Sequence, residues 1–281
     1  MSKLVEMFQQ GFMINVLAGT MIVAAVCSYL GVFIVLRRAV FVGAALAQVS
    51  SLGVALALFV TGALESWRGV HASLPPQPIA LVLTIIAAVV MAAQRREGYL
   101  PRETLIGVAY AAASGLAILV VAVSTHAESE VLNLMCGNVL AIDTGEVLLL
   151  ATLGVSVAIV HWLFFKEFLF VSFDPDMAMA LGLRARLWNV VLFLTIGVTI
   201  SLAIRAAGAL VVFNFLVLPA ATALSLGRSL RVAFAAAIVA GMTSSLVGIS
   251  ISYVADLPSG PTIVAVSTAL LLLVMAMRSR V

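Results

Sequence analysis

The side chains with chemical potential in this chain are few, and they sit in apolar runs. One such run, FVGAALAQVSSLGVALALF, carries a single long polar side chain, Gln48. Ala44, Gln48 and Ser51 fall at i, i+4 and i+7, so on a helix they share a face. Gln48 fits two roles. It can bond a neighbouring helix inside a membrane, a contribution of roughly 0.6–2 kcal/mol, or it can line a transport pathway. Gly43, Ala47 and Ser50 run beside it at the spacing that lets helix backbones approach closely. A later run, GALVVFNFLVLPAATAL, holds Asn214 and Pro219. A proline within a helix frees a backbone carbonyl one turn earlier, which must find a neighbour, a water or a substrate. A structural kink is the other reading. Thr243, Ser244, Ser245, Ser250 and Ser252 read as helix-packing polar groups.

Other chemistries find no support. There is no HExxH, no GxSxG and no phosphate-binding loop ending in GK[ST], so no catalytic residues are expected. His71, His126 and His161 are far apart in sequence. Ionisable groups within membrane spans are the default signal of function. Here His161 falls near the end of a span, Asp256 at an edge, and no Asp, Glu, Lys or Arg falls mid-span. A proton-coupled carrier lacks its titratable relay, so if the chain is a transporter its energy should come from elsewhere. The net charge of +3 is no sign of nucleic-acid binding.

Membrane helices must position these residues. The 281 residues are 64% hydrophobic and only 10% charged, with a mean hydropathy of +1.23. That composition belongs to a polytopic membrane protein. The runs lack the period-2 alternation of a transmembrane barrel, so the expected fold is an all-α bundle forming one transmembrane domain over residues 1–281. About nine spans fit, at roughly 13–36, 41–62, 78–94, 104–124, 145–165, 187–204, 208–227, 232–254 and 261–277, each near the ~20 residues a bilayer core requires. No A-x-A-like cleavage site follows the first run, so no removable signal peptide is expected. Of the 15 Lys and Arg, one set of loops holds Arg37, Arg38, Arg95, Arg96, Arg102, Lys166, Arg184, Arg186, Arg228, Arg231, Arg278 and Arg280; the other holds only Lys3, Arg68 and Arg205. The positive-inside rule puts the first set in the cytoplasm, with the N-terminus outside and the C-terminus inside. Residues 124–143, semi-apolar with Gly137 inside, could dip into the membrane as a short broken helix. Cys27 and Cys136 form no CxxC pair and read as buried, reduced thiols.

One cytoplasmic stretch, KEFLFVSFDPDMAMALGLRAR over residues 166–186, is too polar for a membrane and too apolar for a plain linker. Asp174 suits a helix N-cap, Pro175 the first helical turn, and Gly182 a left-handed stop. The helix between them is about two turns long, far below the ~12–15 residues that make an isolated helix even marginal. It needs something to pack against. Met177, Met179 and Leu181 give it an adaptable apolar surface suited to a partner protein. An amphipathic connector lying on the bilayer is the alternative.

Taken together, VLRRAVFVGAALAQVSSLGVAL, CGNVLAI, KEFLFVSFDPDMAMALG, GALVVFNFLVLPAATA and ISYVADLPSGPTIV resemble, in order, the permease subunits of ATP-binding-cassette (ABC) importers for zinc and manganese. The resemblance runs from about residue 15 to 275. It implies a multi-pass protein of the cytoplasmic (inner) membrane and a homodimer with a pathway near its interface. It implies two cytosolic ABC ATPase subunits, which bind ATP and Mg, and an extracytoplasmic solute-binding protein. This chain itself would need no cofactor. Phe173, Asp174, Pro175, Asp176, Met177, Met179 and Gly182 become the coupling helix seated in the ATPase. Ala44, Gln48, Ser51, Asn214 and Pro219 become pathway candidates. The resemblance also implies an Asp and a His four residues apart in the second span, where this chain has Ala44 and Gln48. Alanine cannot ligate, and glutamine offers one neutral oxygen. Either other residues hold the ion, or it passes without a tight site, or the substrate is different, such as a chelated metal or a small solute. A non-ABC carrier is the remaining alternative. No residues of this sequence are assigned as metal ligands.

Overall fold

The computed structural model describes residues 11–68, 75–94, 101–123, 142–227 and 229–278. Every regular element among them is an α-helix: α1 (Gly11–Leu36), α2 (Phe41–Arg68), α3 (Pro76–Ala93), α4 (Arg102–Val123), α5 (Thr144–Leu163), α6 (Phe165–Phe173), α7 (Pro175–Ala180), α8 (Ala185–Ala207), α9 (Ala209–Ser225), α10 (Leu230–Ala255) and α11 (Ser259–Arg278). Eight of these are long and apolar enough to cross a membrane. The remaining expected span, α9, has 17 residues, about 26 Å at 1.5 Å per residue. That is a little short of the ~30 Å hydrocarbon core. The broken helix suggested over 124–143 lies outside the described residues up to position 141, and so does Cys136. Cys27 is a buried free thiol on α1.

The helices form two compact units. The first comprises Met1–Val40, Gly137–Phe165 and Arg205–Val281. In it α1 packs against α5, α9 and α10, and α11 packs against α9 and α10. Small residues permit this closeness. A Cβ at Gly31 would lie 2.2 Å from the backbone oxygen of Leu216, so α1 and α9 touch backbone to backbone. At one end of the unit Arg205 pairs with Glu146 at 2.7 Å.

The second unit comprises Phe41–Cys136 and Lys166–Ile204. Here α2 packs on α3 and α4, through Val49 and Leu52 against Ala113 and Ala117. Polar side chains join its helices. The Ser50 and Ser201 hydroxyls are 3.3 Å apart, Gln77 Nε2 donates to the Ser201 carbonyl at 3.0 Å, and Asn189 Nδ2 donates to the Ala92 carbonyl at 2.6 Å. In the membrane such bonds replace those that water would make elsewhere.

Candidate functional site

The 166–186 stretch builds two short helices rather than one. The sequence places a helix only between Asp174 and Gly182 and none over residues 166–173. They form α6, because Phe168, Val171 and Ser172 fall at i, i+3 and i+4 and all three are buried. The helix expected after them is α7, six residues long. Asp174 caps it: its carboxylate accepts the backbone N–H groups of Asp176 at 3.1 Å and Met177 at 2.9 Å. Pro175 takes the first helical position, where no hydrogen-bond donor is needed. Gly182, at φ +80°, ends it. The Gly182 N–H then donates to the Met179 carbonyl and the Leu183 N–H to the Ala178 carbonyl, both at 3.0 Å. This pair of bonds is the Schellman motif, and Leu183 packs against the apolar cluster that holds Ala178.

A helix this short holds its shape only through packing. Ala178 is fully buried between Val171 of α6 and Ala185 of α8, with Leu183 and Trp188 around them. The Trp188 ring meets Phe168 edge-on, with centroids 5.7 Å apart. The other side is bare: Phe173, Met177, Met179 and Leu181 are 55–60% exposed. The segment is thus packed on one side, and apolar and exposed on the other.

The pathway candidates divide between the units. Ala44, Gln48 and Ser51 are on α2 of the second unit. Ala44 and Gln48 are half-buried and one turn apart. Ser51 is buried, and its hydroxyl donates to the Ala47 carbonyl of its own helix at 3.1 Å. Asn214 and Pro219 are on α9 of the first unit, both buried. Asn214 Nδ2 donates to Ser267 Oγ of α11 at 3.0 Å, while its Oδ1 is buried with no hydrogen-bond partner among the described residues. No group of three or more His, Cys, Asp or Glu able to hold a metal ion occurs among the described residues.

Two features escape the sequence reading. One is the Arg205–Glu146 pair; a clue lay in an acidic residue opening one span and a basic residue closing another. The other is the setting of His161, which is buried among the rings of Tyr29 and Phe33.

The profile of the ABC 3 transport family matches residues 9–278. The chain belongs to the ABC 3 transport family. It is accordingly a transport subunit and a multi-pass protein of the cytoplasmic membrane. Among curated ABC 3 relatives, the manganese import system permease protein ScaB of Streptococcus gordonii is 25% identical over 274 residues, covering 96% of this chain and 94% of the relative. The high-affinity zinc uptake system membrane protein ZnuB of Haemophilus influenzae is 26% identical over 260 residues, covering 92% and 95%. The solved structure of PsaBC from Streptococcus pneumoniae in complex with Fab superposes with a TM-score of 0.82 at 23% identity, covering 97% of this chain and 94% of that one. This ABC 3 chain therefore shares its fold with a solved bacterial structure.

Proposed function

We propose that the chain is the membrane permease of an ABC importer that moves a divalent metal ion, manganese or zinc, across the cytoplasmic membrane. ATP is hydrolysed by a cytosolic ATPase partner, which holds ATP and Mg, and an extracytoplasmic solute-binding protein delivers the ion. The permease works as a homodimer. Each copy is one permease domain crossing the membrane nine times, N-terminus outside and C-terminus inside, so that residues 166–186 face the ATPase. Relatives named for manganese and zinc transport support the substrate class.

The observation that carries this reading is the construction of α7. A six-residue helix, capped at both ends and pinned through Ala178, exposes Phe173, Met177, Met179 and Leu181. Apolar exposure of this kind off a rigid base suits seating in a partner protein. Phe173, Asp174, Pro175, Asp176, Met177, Met179 and Gly182 form this coupling segment. The test is co-purification with the ATPase subunit of the same transport system. The permease is expected to retain the ATPase and raise its turnover. A double change of Met177 and Met179 to Glu should release it, and undiminished binding by that variant would contradict the reading.

Ala44 and Gln48 favour a second reading of the substrate. Their face presents one neutral amide, a weak site for a bare divalent ion. An ion already wrapped in a chelator, or a small solute, needs no charged ligand there. Ser51 on α2, and Asn214 and Pro219 within the continuous helix α9, are the other proposed pathway groups.

A further inference from the structure

Five rings meet where α5 gives way to α6. His161, in the last turn of α5, has its ring centroid 5.3 Å from Tyr29 and 5.5 Å from Phe33, edge-on to both. Phe165, the first residue of α6, lies 6.4 Å from Phe33 and 5.5 Å from Phe234 of α10. Phe234 closes the group at 5.2 Å from Tyr29 and 5.0 Å from Phe33. These separations lie in the range where aromatic pairs attract. Phe33 and His161 are buried almost completely, at 0% and 1% exposure.

Between His161 and Phe165 runs the one break in an otherwise continuous helical path. Phe164 leaves helical geometry at φ −117° and ψ 26°, while its N–H still donates to the Val160 carbonyl. A single non-helical residue between two helices is a place where the chain can bend, because hinges are built from a few element-terminal residues. Here the residues three before and one after the break, His161 and Phe165, are set into the same aromatic group. Beyond Phe165 the chain runs through α6 to Asp174 and α7.

We propose that His161 is a positioning residue for coupling, its ring lodged against Tyr29 and Phe33 so that the bend at Phe164 is fixed and displacement of α7 is carried into α5. The proposal rests on α7 being the segment seated in the ATPase. It assigns the role to the shape of the ring, because the ring is what meets Tyr29 and Phe33 edge-on. Phe165 locks the other side of the break.

The test uses the complete complex in proteoliposomes and reads manganese(II) or zinc(II) moved per ATP hydrolysed, alongside ATPase retention on purification. His161→Ala and Phe165→Ala are expected to keep the ATPase bound and hydrolysing while ions moved per ATP fall at least about fivefold, the low end of coupling between distant sites. His161→Phe restores most of the ratio. An unchanged ratio in His161→Ala overturns the proposal. So does His161→Phe being as impaired as His161→Ala, which would assign the role to the ring nitrogens. Loss of ATPase binding in both alanine variants would make the cluster merely structural and equally overturn it. Failure of the underlying reading looks different: Gly182→Val would leave the ratio intact in an otherwise native complex.

Discussion

The carboxylate of Asp174 accepts the backbone N–H of Met177 at 2.9 Å, and that bond sets the first turn of the helix whose exposed methionines form the proposed coupling surface. At the other end Gly182 stands at φ +80° with open space where a Cβ would be. Only the backbone conformation, and no neighbour, excludes a side chain there. Asp174→Ala should therefore loosen α7 by about 0.5–2 kcal/mol. Gly182→Val, strained at positive φ, should do more. Both variants are expected to reach the membrane at native levels and to lose stimulation of the ATPase, Gly182→Val more completely. A hydrolysis assay on the purified complex reads both effects, and full stimulation in Gly182→Val would displace the coupling surface from α7.

Ala44 and Gln48 give a second prediction. Restoring a carboxylate and an imidazole with Ala44→Asp and Gln48→His supplies two metal ligands one turn apart on α2, and a second copy would complete the four that a tetrahedral zinc site needs. The double variant should retain more zinc or manganese through purification than the native protein, and each single change should retain less than the double. If Gln48 serves only to bond a neighbouring helix, the double variant instead melts earlier with no gain in metal. Elemental analysis beside a melting curve separates the outcomes.

A third prediction concerns packing in the first unit. A Cβ at Gly31 would come within 2.2 Å of the Leu216 carbonyl oxygen, whereas one at Gly115 of α4 meets nothing within 4 Å. Gly31→Ala must push two backbones apart, and overpacking of this kind costs about 1–3 kcal/mol. Gly115→Ala should be neutral or gain up to about 1 kcal/mol from the better helix former. Thermal unfolding in detergent should show a clear fall in Tm for the first and none for the second.

Eight of the nine expected spans were legible because a bilayer imposes a length, and the apolar runs bounded by Arg37, Arg95, Arg184 and Arg278 have that length. The predicted 232–254 span and the observed Leu230–Ala255 helix differ by two residues at one end and one at the other. Asp174, Pro175 and Gly182 were legible because capping is local chemistry with a fixed spacing. α6 was not: Lys166 and Glu167 at its start read as the edge of a loop, and its buried face of Phe168, Val171 and Ser172 is defined only by what packs on it. The pairing of Arg205 with Glu146 joins residues 59 positions apart in sequence, which no local pattern encodes. The same holds for His161, whose isolation in the sequence hides the ring neighbours that the fold supplies.

The central claim is that this chain forms the route for a metal ion and that a partner supplies the ATP chemistry. The most direct measurement is manganese(II) and zinc(II) flux into proteoliposomes holding the permease with its ATPase and loaded solute-binding protein, with and without ATP. The account predicts ATP-dependent accumulation of at least one of the two ions by the complete complex, and neither flux nor nucleotide binding by the permease alone. Saturable ATP binding by the isolated chain, or a complete complex that hydrolyses ATP yet moves neither ion, would contradict it.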